Sequence, residues 1–309
     1  GCFWWCVYVQ LWYDADHKQR EICLEYRKRI DDEDEMEELT KTQIVIATHK
    51  KYRMPKEKIY LPLHVGSKGK ESIGYERDDS GINISEKNPS FCELTGLYWA
   101  WKNLNCEYIG MVHYRRYFTE KSYVKLLKCK SSVQEKLNCV LNEKEITELE
   151  KNYDIVVPKK RKYFIETLYS HYAHSHYSEH LDLTRAVIAQ KYQEYLSAFD
   201  KVMNSRSAYM FNMFIMKKEL LNEYCEWLFD ILFEVEKHIN AEILSAYQGR
   251  LYGRISELIF NVWLLRQLEV NNYKVKEVGL LYIEPINWRS KSRAFLAAKF
   301  LHRKYEGSF

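Results

Sequence analysis

Short apolar runs separated by helical stretches constrain the fold of this chain more than any other feature. The first run, IVIA at residues 44–47, is rich in β-branched side chains and ends in a polar turn, which is typical of a buried parallel strand. Strands that alternate with helices along a chain assemble into an α/β sheet. Further strands are predicted at residues 107–112, 153–158, 209–216 and 275–283.

Apolar residues spaced three and four apart predict helices between these strands. In the segment 219–238, Leu220, Tyr224 and Ile231 fall on one stripe. We therefore expect an α/β fold in which helices flank a mixed sheet, with a helical C-terminal part. The predicted helices cover residues 88–104, 186–203, 219–238 and 250–268.

Composition and charge exclude several classes of protein. The chain has 309 residues, of which 46% are hydrophobic and 29% charged, so wholesale disorder and low complexity are excluded. The 47 Lys and Arg residues stand against 43 Asp and Glu residues, a net charge of +4. So mild an excess does not argue for nucleic acid, and we expect no nucleic-acid partner.

The cysteines and the first residues bear on the cellular compartment. The eight cysteines include no CxxC pair, which favours reduced thiols and a cytoplasmic location over a zinc ribbon or a disulfide scaffold. The opening GCFWWCVYVQLWY is too short to span a bilayer and lacks a basic leader, so we predict no secretion signal.

Residues 1–41 differ in character from the rest of the chain. They combine an aromatic patch with an acidic run at 31–38, which is typical of a solvated helix or spacer. We expect residues 1–41 to be an N-terminal extension and residues 42–309 to form one domain that ends in a basic helix.

Six ordered sequence blocks, from about residue 43 onward, resemble a bacterial family of capsular and exopolysaccharide glycosyltransferases catalogued as a domain of unknown function. The blocks are IVIATHKKYRMPKEKIYLPLHVG, DDSGINISEKNPSFCELTGLYWAWKNL, YIGMVHYRRYF, YDIVVPKK, FNMFIMKKELLNEYCEWLFDIL and RLYGRISELIFNVWL. The resemblance implies a GT-A-like, Rossmann-type enzyme that transfers a hexose, such as galactose or galactofuranose, from a nucleotide-sugar donor, a UDP-hexose being expected. It also implies a lipid-linked glycan acceptor at the inner face of the plasma membrane. The alternative is a non-catalytic carbohydrate-binding or assembly-scaffold protein on the same fold.

The predicted strand YIGMV runs directly into His113, Tyr114, Arg115 and Arg116. Paired guanidinium groups present forked donors that suit phosphate oxygens, and a departing diphosphate needs positive charge. We predict that Arg115 or Arg116 neutralises the donor diphosphate, in place of a metal or beside it, with His113 and Tyr114 in the donor site. The alternative is that the arginines pair with carboxylates and that His113 is structural.

Acidic strings give weak support for a metal site. The DxD strings at 14–16 and 32–34 precede the first core strand, and a motif without structural context is weak evidence. Asp78 and Asp79 lie in a glycine-bearing loop, where binding loops belong. The resembling family, however, has a second acidic residue where Ile82 stands. We assign no metal site, and the sequence leaves open whether the protein uses a divalent cofactor such as Mg²⁺ or Mn²⁺.

The end of the first strand supplies further candidates for binding the donor. Strand ends at the carboxyl edge of such a sheet face the ligand crevice, so Thr48, His49 and Lys50 are expected near the nucleotide. The alternative is a solvated turn.

A dense polar block precedes the helix predicted at 88–104 and is also assigned to the donor site. Ser85 or Asn88 could cap this helix, with Pro89 in its first turn. The donor candidates of the block are Asn83, Ser85, Lys87 and Asn88.

Glu257, in the block GRISEL, is the strongest candidate for the catalytic base. It is a carboxylate on an otherwise apolar helix, and burial would raise its pKa towards values useful for proton transfer. The alternative is an ion pair along the helix with Arg250 or Arg254. Asp79 is the second candidate for this role.

His176 and Asn212 are the acceptor-site candidates. His176 belongs to the block HYAHSHYSEH, which resembles the family's HY pair followed by a histidine, and whose spacing fits a zinc site poorly. Asn212 lies inside the predicted strand YMFNMFIM, where a polar side chain needs a partner or a ligand. The alternative for Asn212 is a hydrogen bond within the core.

Two basic segments favour peripheral contact with a membrane. Residues 159–162 are KKRK, and the tail at 288–304 has six Lys and Arg residues and no acid, interleaved with Phe and Leu. This pattern predicts an interfacial helix attracted to anionic lipid. The alternative is a terminal helix docked on the domain.

Overall fold

The computed structural model describes residues 40–122, 126 and 132–284. The chain divides into two units, residues 1–40 and 41–309, and the fold described below belongs to the second, with Thr40 added at its start. Most of the predicted extension, both DxD strings and the predicted basic helix at 288–304 lie outside the described residues.

A mixed sheet forms the centre of the described part of the chain, as predicted. Its strand order is β3-β2-β1-β4-β5-β10-β6-β9, and β4 also pairs with β9. The pairs β1–β2, β2–β3 and β6–β10 are parallel, whereas β4–β5, β5–β10, β4–β9 and β6–β9 are antiparallel. Strands β7 and β8 pair separately. The strands are β1 (Thr40–Thr48), β2 (Tyr60–His64), β3 (Glu76–Arg77), β4 (Cys106–His113), β5 (Arg116–Thr119), β6 (Ile155–Pro158), β7 (Arg161–Lys162), β8 (Ser207–Ala208), β9 (Phe214–Lys217) and β10 (Val275–Tyr282).

Helices cover the sheet and connect its strands. The α-helices are α1 (Asn88–Phe91), α2 (Leu94–Asn103), α3 (Val133–Leu137), α4 (Glu143–Asn152), α5 (Leu168–Ser175), α6 (Glu179–Lys191), α7 (Leu196–Met203), α8 (Lys218–Glu236) and α9 (Leu251–Val270). Short 3₁₀ turns occupy Ser85–Lys87, Gln193–Tyr195 and Ala241–Ile243.

The apolar run in β1 is continuous because both faces of this strand are buried. Ile44 and Ile46 pack into one hydrophobic cluster with Leu141, and Val45 packs into the other with Trp263. Buried parallel strands have this continuous pattern, since helices cover both faces of the sheet. The four cysteines of the described residues, Cys92, Cys106, Cys139 and Cys225, are all buried.

The helix predicted at 88–104 is broken in two at Cys92, whose φ of 55° is a left-handed conformation that ends α1. Pro89 lies in the first turn of α1, as predicted. The predicted capping is wrong. The Ser85 hydroxyl instead donates to the buried Asp78 carboxylate, and the Asn88 amide donates to the Cys92 carbonyl at 2.7 Å.

The strand predicted at 209–216 is correct only in its second half. Phe211 and Asn212 have φ values of 78° and 50°, so they form a left-handed turn, and β9 starts at Phe214. Asn212 therefore does not lie in the middle of a strand. Strands β2 and β5 have no counterpart in the sequence analysis, and β5 follows β4 after the two-residue turn formed by Tyr114 and Arg115.

Candidate active site

A cavity of about 1710 Å³ opens beside the ends of β1 and β4. Its walls come from the β4–β5 turn, the approach to α1, residues 161–165, α5, the turn at 210–211 and the segment 236–258. This volume exceeds the range of about 300–1,000 Å³ that is usual for a small-molecule pocket. The cavity therefore has room for more than one substrate.

Ten of the predicted site residues line this cavity and five do not. Those on the lining are Thr48, His49, Lys87, Asn88, His113, Tyr114, Arg115, Arg116, His176 and Glu257. Those outside it are Lys50, Asp79, Asn83, Ser85 and Asn212.

The two adjacent arginines have different surroundings. The Arg116 guanidinium stacks over the Phe211 ring at 4.5 Å, and its buried Nε has no hydrogen-bond partner among the described residues. Nor does Arg116 pair with any carboxylate in this part of the chain. Arg115 is nearly half exposed, stacks on Tyr114 at 5.0 Å and pairs with Glu284 at 3.2 Å. Arg116 therefore keeps hydrogen-bond donors available for a ligand, as a diphosphate-binding residue must.

His113 is held by the left-handed turn. Its Nε2 atom lies 2.6 Å from the Phe211 carbonyl oxygen. Burial lowers its pKa, Glu93 partly offsets this effect, and the charge of Arg116 adds to it. His113 is therefore a neutral group on the cavity wall at neutral pH.

Glu257 lies on α9 in the same wall. Burial raises its pKa to about 7, and the negative charge of Glu93 acts in the same direction. A hydrogen bond from the Phe211 backbone, followed by the charges of Arg116 and Arg161, opposes this rise. A carboxylate with such a pKa can both accept and release a proton near neutral pH.

The alternative in which Glu257 pairs along its own helix is not observed. Arg250 Nε donates to the Cys92 sulfur at 3.2 Å. Arg254 donates to the backbone carbonyls of Tyr247 and Gln248. Neither guanidinium neutralises Glu257, which agrees with the raised pKa of this carboxyl.

Glu93 is a cavity residue that the sequence analysis missed. It lies at the break between α1 and α2, and its Oε1 accepts a hydrogen bond from Asn212 Nδ2 at 2.7 Å. The same amide donates to the Gly253 carbonyl on α9 at 3.1 Å, and Asn212 Oδ1 accepts from Ser256. Asn212 thus makes the core hydrogen bonds that were its alternative assignment, and it links Glu93 to the helix that carries Glu257.

The loop around Asp78 and Asp79 is held by internal contacts. The fully buried Asp78 carboxylate accepts hydrogen bonds from the backbone of Gly66 and Ser67 and from the Thr95 hydroxyl. Asp79 pairs with Arg77 at 2.8 Å, and the hydrogen bond from Arg77 lowers its pKa.

The other residues predicted for the donor site in this loop also contact protein groups. Asn83 Oδ1 accepts from the Ser85 backbone at 3.2 Å. Lys87 pairs with Glu236 at 2.8 Å while lining the cavity. Asn83 and Ser85 make their contacts within the loop and do not line the cavity, so they stabilise the loop rather than contact a ligand.

The end of β1 forms a cationic and aromatic corner. The Thr48 hydroxyl donates to the Lys50 carbonyl at 2.7 Å, which fixes the turn. His49 packs edge-on against Tyr114, with ring centroids 5.4 Å apart, and Lys50 lies over the same ring at 5.3 Å. Burial, followed by the charge of Arg115, lowers the pKa of His49. The positive surroundings favour an anionic ligand here.

His176 lies on the wall formed by α5. Its Nδ1 is 2.8 Å from the Gln248 side-chain oxygen. Burial, followed by the charge of Arg254, lowers its pKa to about 3, so the ring is neutral. Two neighbours, His171 and His174, both contact the buried Glu166 carboxylate. Within residues 40–122 and 132–284, no group of three or more His, Cys, Asp or Glu side chains is arranged to hold a metal ion.

Positive charge predominates among the described lining residues, eight of which are Lys or Arg and four of which are Glu. Such a surface attracts anionic ligands. The basic set is Lys87, Arg115, Arg116, Arg161, Lys162, Lys237, Arg250 and Arg254, and the acidic set is Glu86, Glu93, Glu236 and Glu257.

Comparison with known proteins places this geometry in a family. Residues 43–268 match the family described as a domain of unknown function, DUF4422. The chain belongs to this family. The cavity residues from Thr48 to Leu258 all fall within the DUF4422 match. None of the curated proteins matches the chain.

A solved structure shares this fold. The chain is 31% identical to the apo structure of the bifunctional glycosyltransferase WbbM, with a TM-score of 0.72, and the match covers 80% of this chain. It covers 46% of the WbbM chain, so this chain corresponds to about half of that protein. The DUF4422 fold seen here is therefore a mixed α/β fold similar to that of a glycosyltransferase. Over the described ranges, no helix is both long and apolar enough to cross a membrane.

Proposed function

We propose that this chain is a glycosyltransferase that moves a hexose from a nucleotide-sugar donor to a glycan acceptor in capsule or exopolysaccharide assembly. Membership of DUF4422 and the likeness to a bifunctional glycosyltransferase structure support the reaction class. One observation carries the proposal. The Arg116 guanidinium, without a carboxylate partner in the described residues, lines the same cavity as Glu257, whose pKa is raised to about 7.

The chemistry follows from these two groups. As the bond between the anomeric carbon and the diphosphate oxygen breaks, its electron pair leaves with the diphosphate, and Arg116 stabilises the charge that develops there. The acceptor hydroxyl oxygen forms the new bond to the anomeric carbon. In an inverting transfer, Glu257 takes the hydroxyl proton, because it is a carboxylate with a pKa near neutrality. The same base role for Asp79 has less support, since Asp79 lies off the cavity lining and pairs with Arg77.

The finer assignments belong to the same proposal. The donor is a UDP-hexose, with galactose or galactofuranose as the sugar, and its diphosphate binds Arg116 with Arg115 nearby. Thr48, His49, Lys87, Asn88, His113 and Tyr114 contribute to the donor site, and His176 faces the acceptor. The acceptor is a lipid-linked glycan presented at the inner face of the plasma membrane to a GT-A-like domain that spans residues 42–309.

Few side chains of the described cavity lining are available to bind a divalent metal ion. Mg²⁺ prefers octahedral oxygen coordination, often from one or two carboxylates with water and substrate phosphates. Three of the four lining glutamates have partners, since Glu86 binds Lys68, Glu93 binds Asn212 and Glu236 binds Lys87. No step of the proposal is therefore routed through a metal.

The proposal is tested by incubating the protein with a panel of nucleotide sugars and glycan acceptors, with and without EDTA. We expect donor-dependent release of a nucleoside diphosphate that requires both Arg116 and Glu257. Binding of sugars without turnover by any donor would instead favour the carbohydrate-binding or scaffold alternative. Complete loss of turnover in EDTA would retain the transferase and add a metal to its donor site.

A further inference from the structure

Two arginines of the cavity wall, Arg161 and Arg254, are held by contacts that leave their charge uncompensated. Arg161 stacks over Tyr163 at 4.8 Å, and Arg254 stacks over Tyr247 at 4.3 Å. Arg254 also donates to two backbone carbonyls, one of them Gln248 at 3.3 Å. Neither guanidinium forms an ion pair within the described part of the chain, although both lie in the wall of the cavity.

Such an arrangement favours a ligand with negative charge. A guanidinium has five N–H donors, and the hydrogen bonds of Arg254 use few of them. Aromatic stacking orients the planar group and leaves its edge available for forked hydrogen bonds to phosphate oxygens. Partly buried positive charge without a counter-ion is costly, so a bound anion stabilises both the site and the complex.

These arginines come from other elements than the donor candidates on β4 and β5, because Arg161 lies on β7 and Arg254 lies on α9. In addition to burial, Arg161 lowers the pKa of His171 on α5, and Arg254 lowers the pKa of His176 directly after that helix. Both histidines line the cavity. Burial lowers the pKa of His171 and Arg161 lowers it further, so His171 does not add a positive charge at neutral pH.

The pKa of Glu257 responds to one arginine from each pair, Arg116 and Arg161. Burial raises its pKa, whereas both Arg116 and Arg161 lower it. A substrate anchored at Arg161 therefore comes near the proposed base from a different element than a donor anchored at Arg116.

We propose that Arg161 and Arg254 form a second anion site, which binds a phosphate or diphosphate group of the acceptor while Arg116 binds the diphosphate of the donor. The inference rests on the proposed function and names its acceptor class, a phosphorylated glycan or glycolipid. The cavity volume of about 1710 Å³ accommodates two such substrates together.

Calorimetric titration with inorganic pyrophosphate, in the absence and presence of saturating uridine diphosphate, tests the second site. We expect pyrophosphate to bind the nucleotide-saturated protein. The double variant R161Q/R254Q should lose at least about tenfold in pyrophosphate affinity while its uridine diphosphate affinity changes less than about twofold, since charge-assisted hydrogen bonds are the strong ones. R116Q should show the opposite pattern. Arg185→Gln is the matched control, because Arg185 pairs with Asp200 away from the cavity lining.

Two results would overturn the second site: complete displacement of pyrophosphate by uridine diphosphate, or unchanged pyrophosphate affinity in R161Q/R254Q. If the protein binds no nucleotide, the proposed function fails, yet pyrophosphate binding that depends on Arg161 and Arg254 still supports the anion site. Competition by glucose 1-phosphate or by phosphatidic acid vesicles then identifies a soluble or a lipid-borne phosphate. Competition by neither would contradict a site for phosphate groups.

Discussion

His113 Nε2 lies 2.6 Å from the carbonyl oxygen of Phe211. Because a carbonyl oxygen can only accept, this nitrogen carries the proton, and the hydrogen bond joins the end of β4 to the left-handed turn before β9. The φ of Phe211 is 78°, a conformation that costs a non-glycine residue about 1–3 kcal/mol. The surrounding contacts maintain that strain at the centre of the candidate site.

The same turn meets the two groups proposed for the chemistry, Arg116 and Glu257, and also Glu93, which raises the pKa of Glu257. The Phe211 ring supports Arg116, the Phe211 backbone lowers the pKa of Glu257, and the next residue, Asn212, donates to Glu93. A backbone under strain at a shared contact is often part of a functional site. We infer that the turn fixes the spacing between the proposed diphosphate-binding group and the proposed base.

Replacing Arg116 with Ala should lower kcat/KM for the donor by at least about 100-fold, because removing one fixed hydrogen-bond donor that stabilises developing negative charge costs about 2.7–4 kcal/mol. Arg115→Ala should lower it much less, since Arg115 is exposed and already paired with Glu284. Steady-state kinetics with varied donor measures both effects. Equal losses in the two variants, or near-normal rates in Arg116→Ala, would contradict the assignment.

The pH dependence of turnover distinguishes Glu257 from Asp79 as the base. A base acts when deprotonated, so the rate should rise with pH through about 7, the raised pKa of Glu257, and then level off. If Asp79 were the base, the rise would come at much lower pH, because the hydrogen bond from Arg77 lowers the pKa of Asp79 below the ordinary range of an aspartate. A pH profile of kcat measures the difference, and Glu257→Gln should abolish the neutral rise.

Glu93→Gln provides the matched control for this profile. It removes a negative charge that raises the pKa of Glu257 while keeping the size of the side chain. The rise in rate should therefore move to lower pH, because Glu257 is still present as the base but has a lower pKa. A profile that stays in place would show that Glu93 does not act on the catalytic carboxyl.

The sequence predicts the parts of the fold that depend on periodicity. The stripe on α8 and the continuous run in β1 are buried as expected, because hydrophobic burial dominates both elements. Periodicity does not detect positive φ in ordinary residues. Cys92 and Phe211, at φ values of 55° and 78°, therefore interrupt a predicted helix and a predicted strand without a glycine to mark the place.

The candidate site shows the same limit. Arg116 and Glu257 can be singled out from the sequence, since a guanidinium at a strand end and a carboxylate on an apolar helix differ from their neighbours, and both line the cavity. Glu93 is not, because its role depends on the break at Cys92 and on the hydrogen bond from Asn212, both of which are tertiary. A pairing along α9 for Glu257 was equally compatible with the sequence, and only the directions of Arg250 and Arg254 exclude it.

Asp78→Ala should destabilise the protein far more than Asp79→Ala. Asp78 is fully buried and accepts hydrogen bonds from Gly66, Ser67 and Thr95, so its removal leaves several buried donors unsatisfied, at a cost of about 3 kcal/mol or more. Asp79 is partly exposed, and loss of such an ion pair costs about 1 kcal/mol or less. Urea unfolding measures both values. Similar losses in the two variants would show that the Asp78 network does not stabilise this loop.

Gly66 and Gly69 form a natural comparison for the loop next to the cavity. Both have positive φ, 61° and 73°, so alanine at either position incurs backbone strain of about 1–2 kcal/mol. A Cβ at Gly69 would meet no atom within 4 Å, whereas a Cβ at Gly66 would lie 2.3 Å from the Asn88 side chain. We expect Gly66→Ala to lower the free energy of unfolding more than Gly69→Ala and to weaken donor binding as well, because the displaced Asn88 lines the cavity. Combining Gly66→Ala with Asn88→Gly removes the three nearest atoms that the new Cβ would meet, all of which belong to the Asn88 side chain, so the double variant should lose less than the sum of the two single variants. Additive losses would mean that the Gly66 effect comes from backbone strain alone.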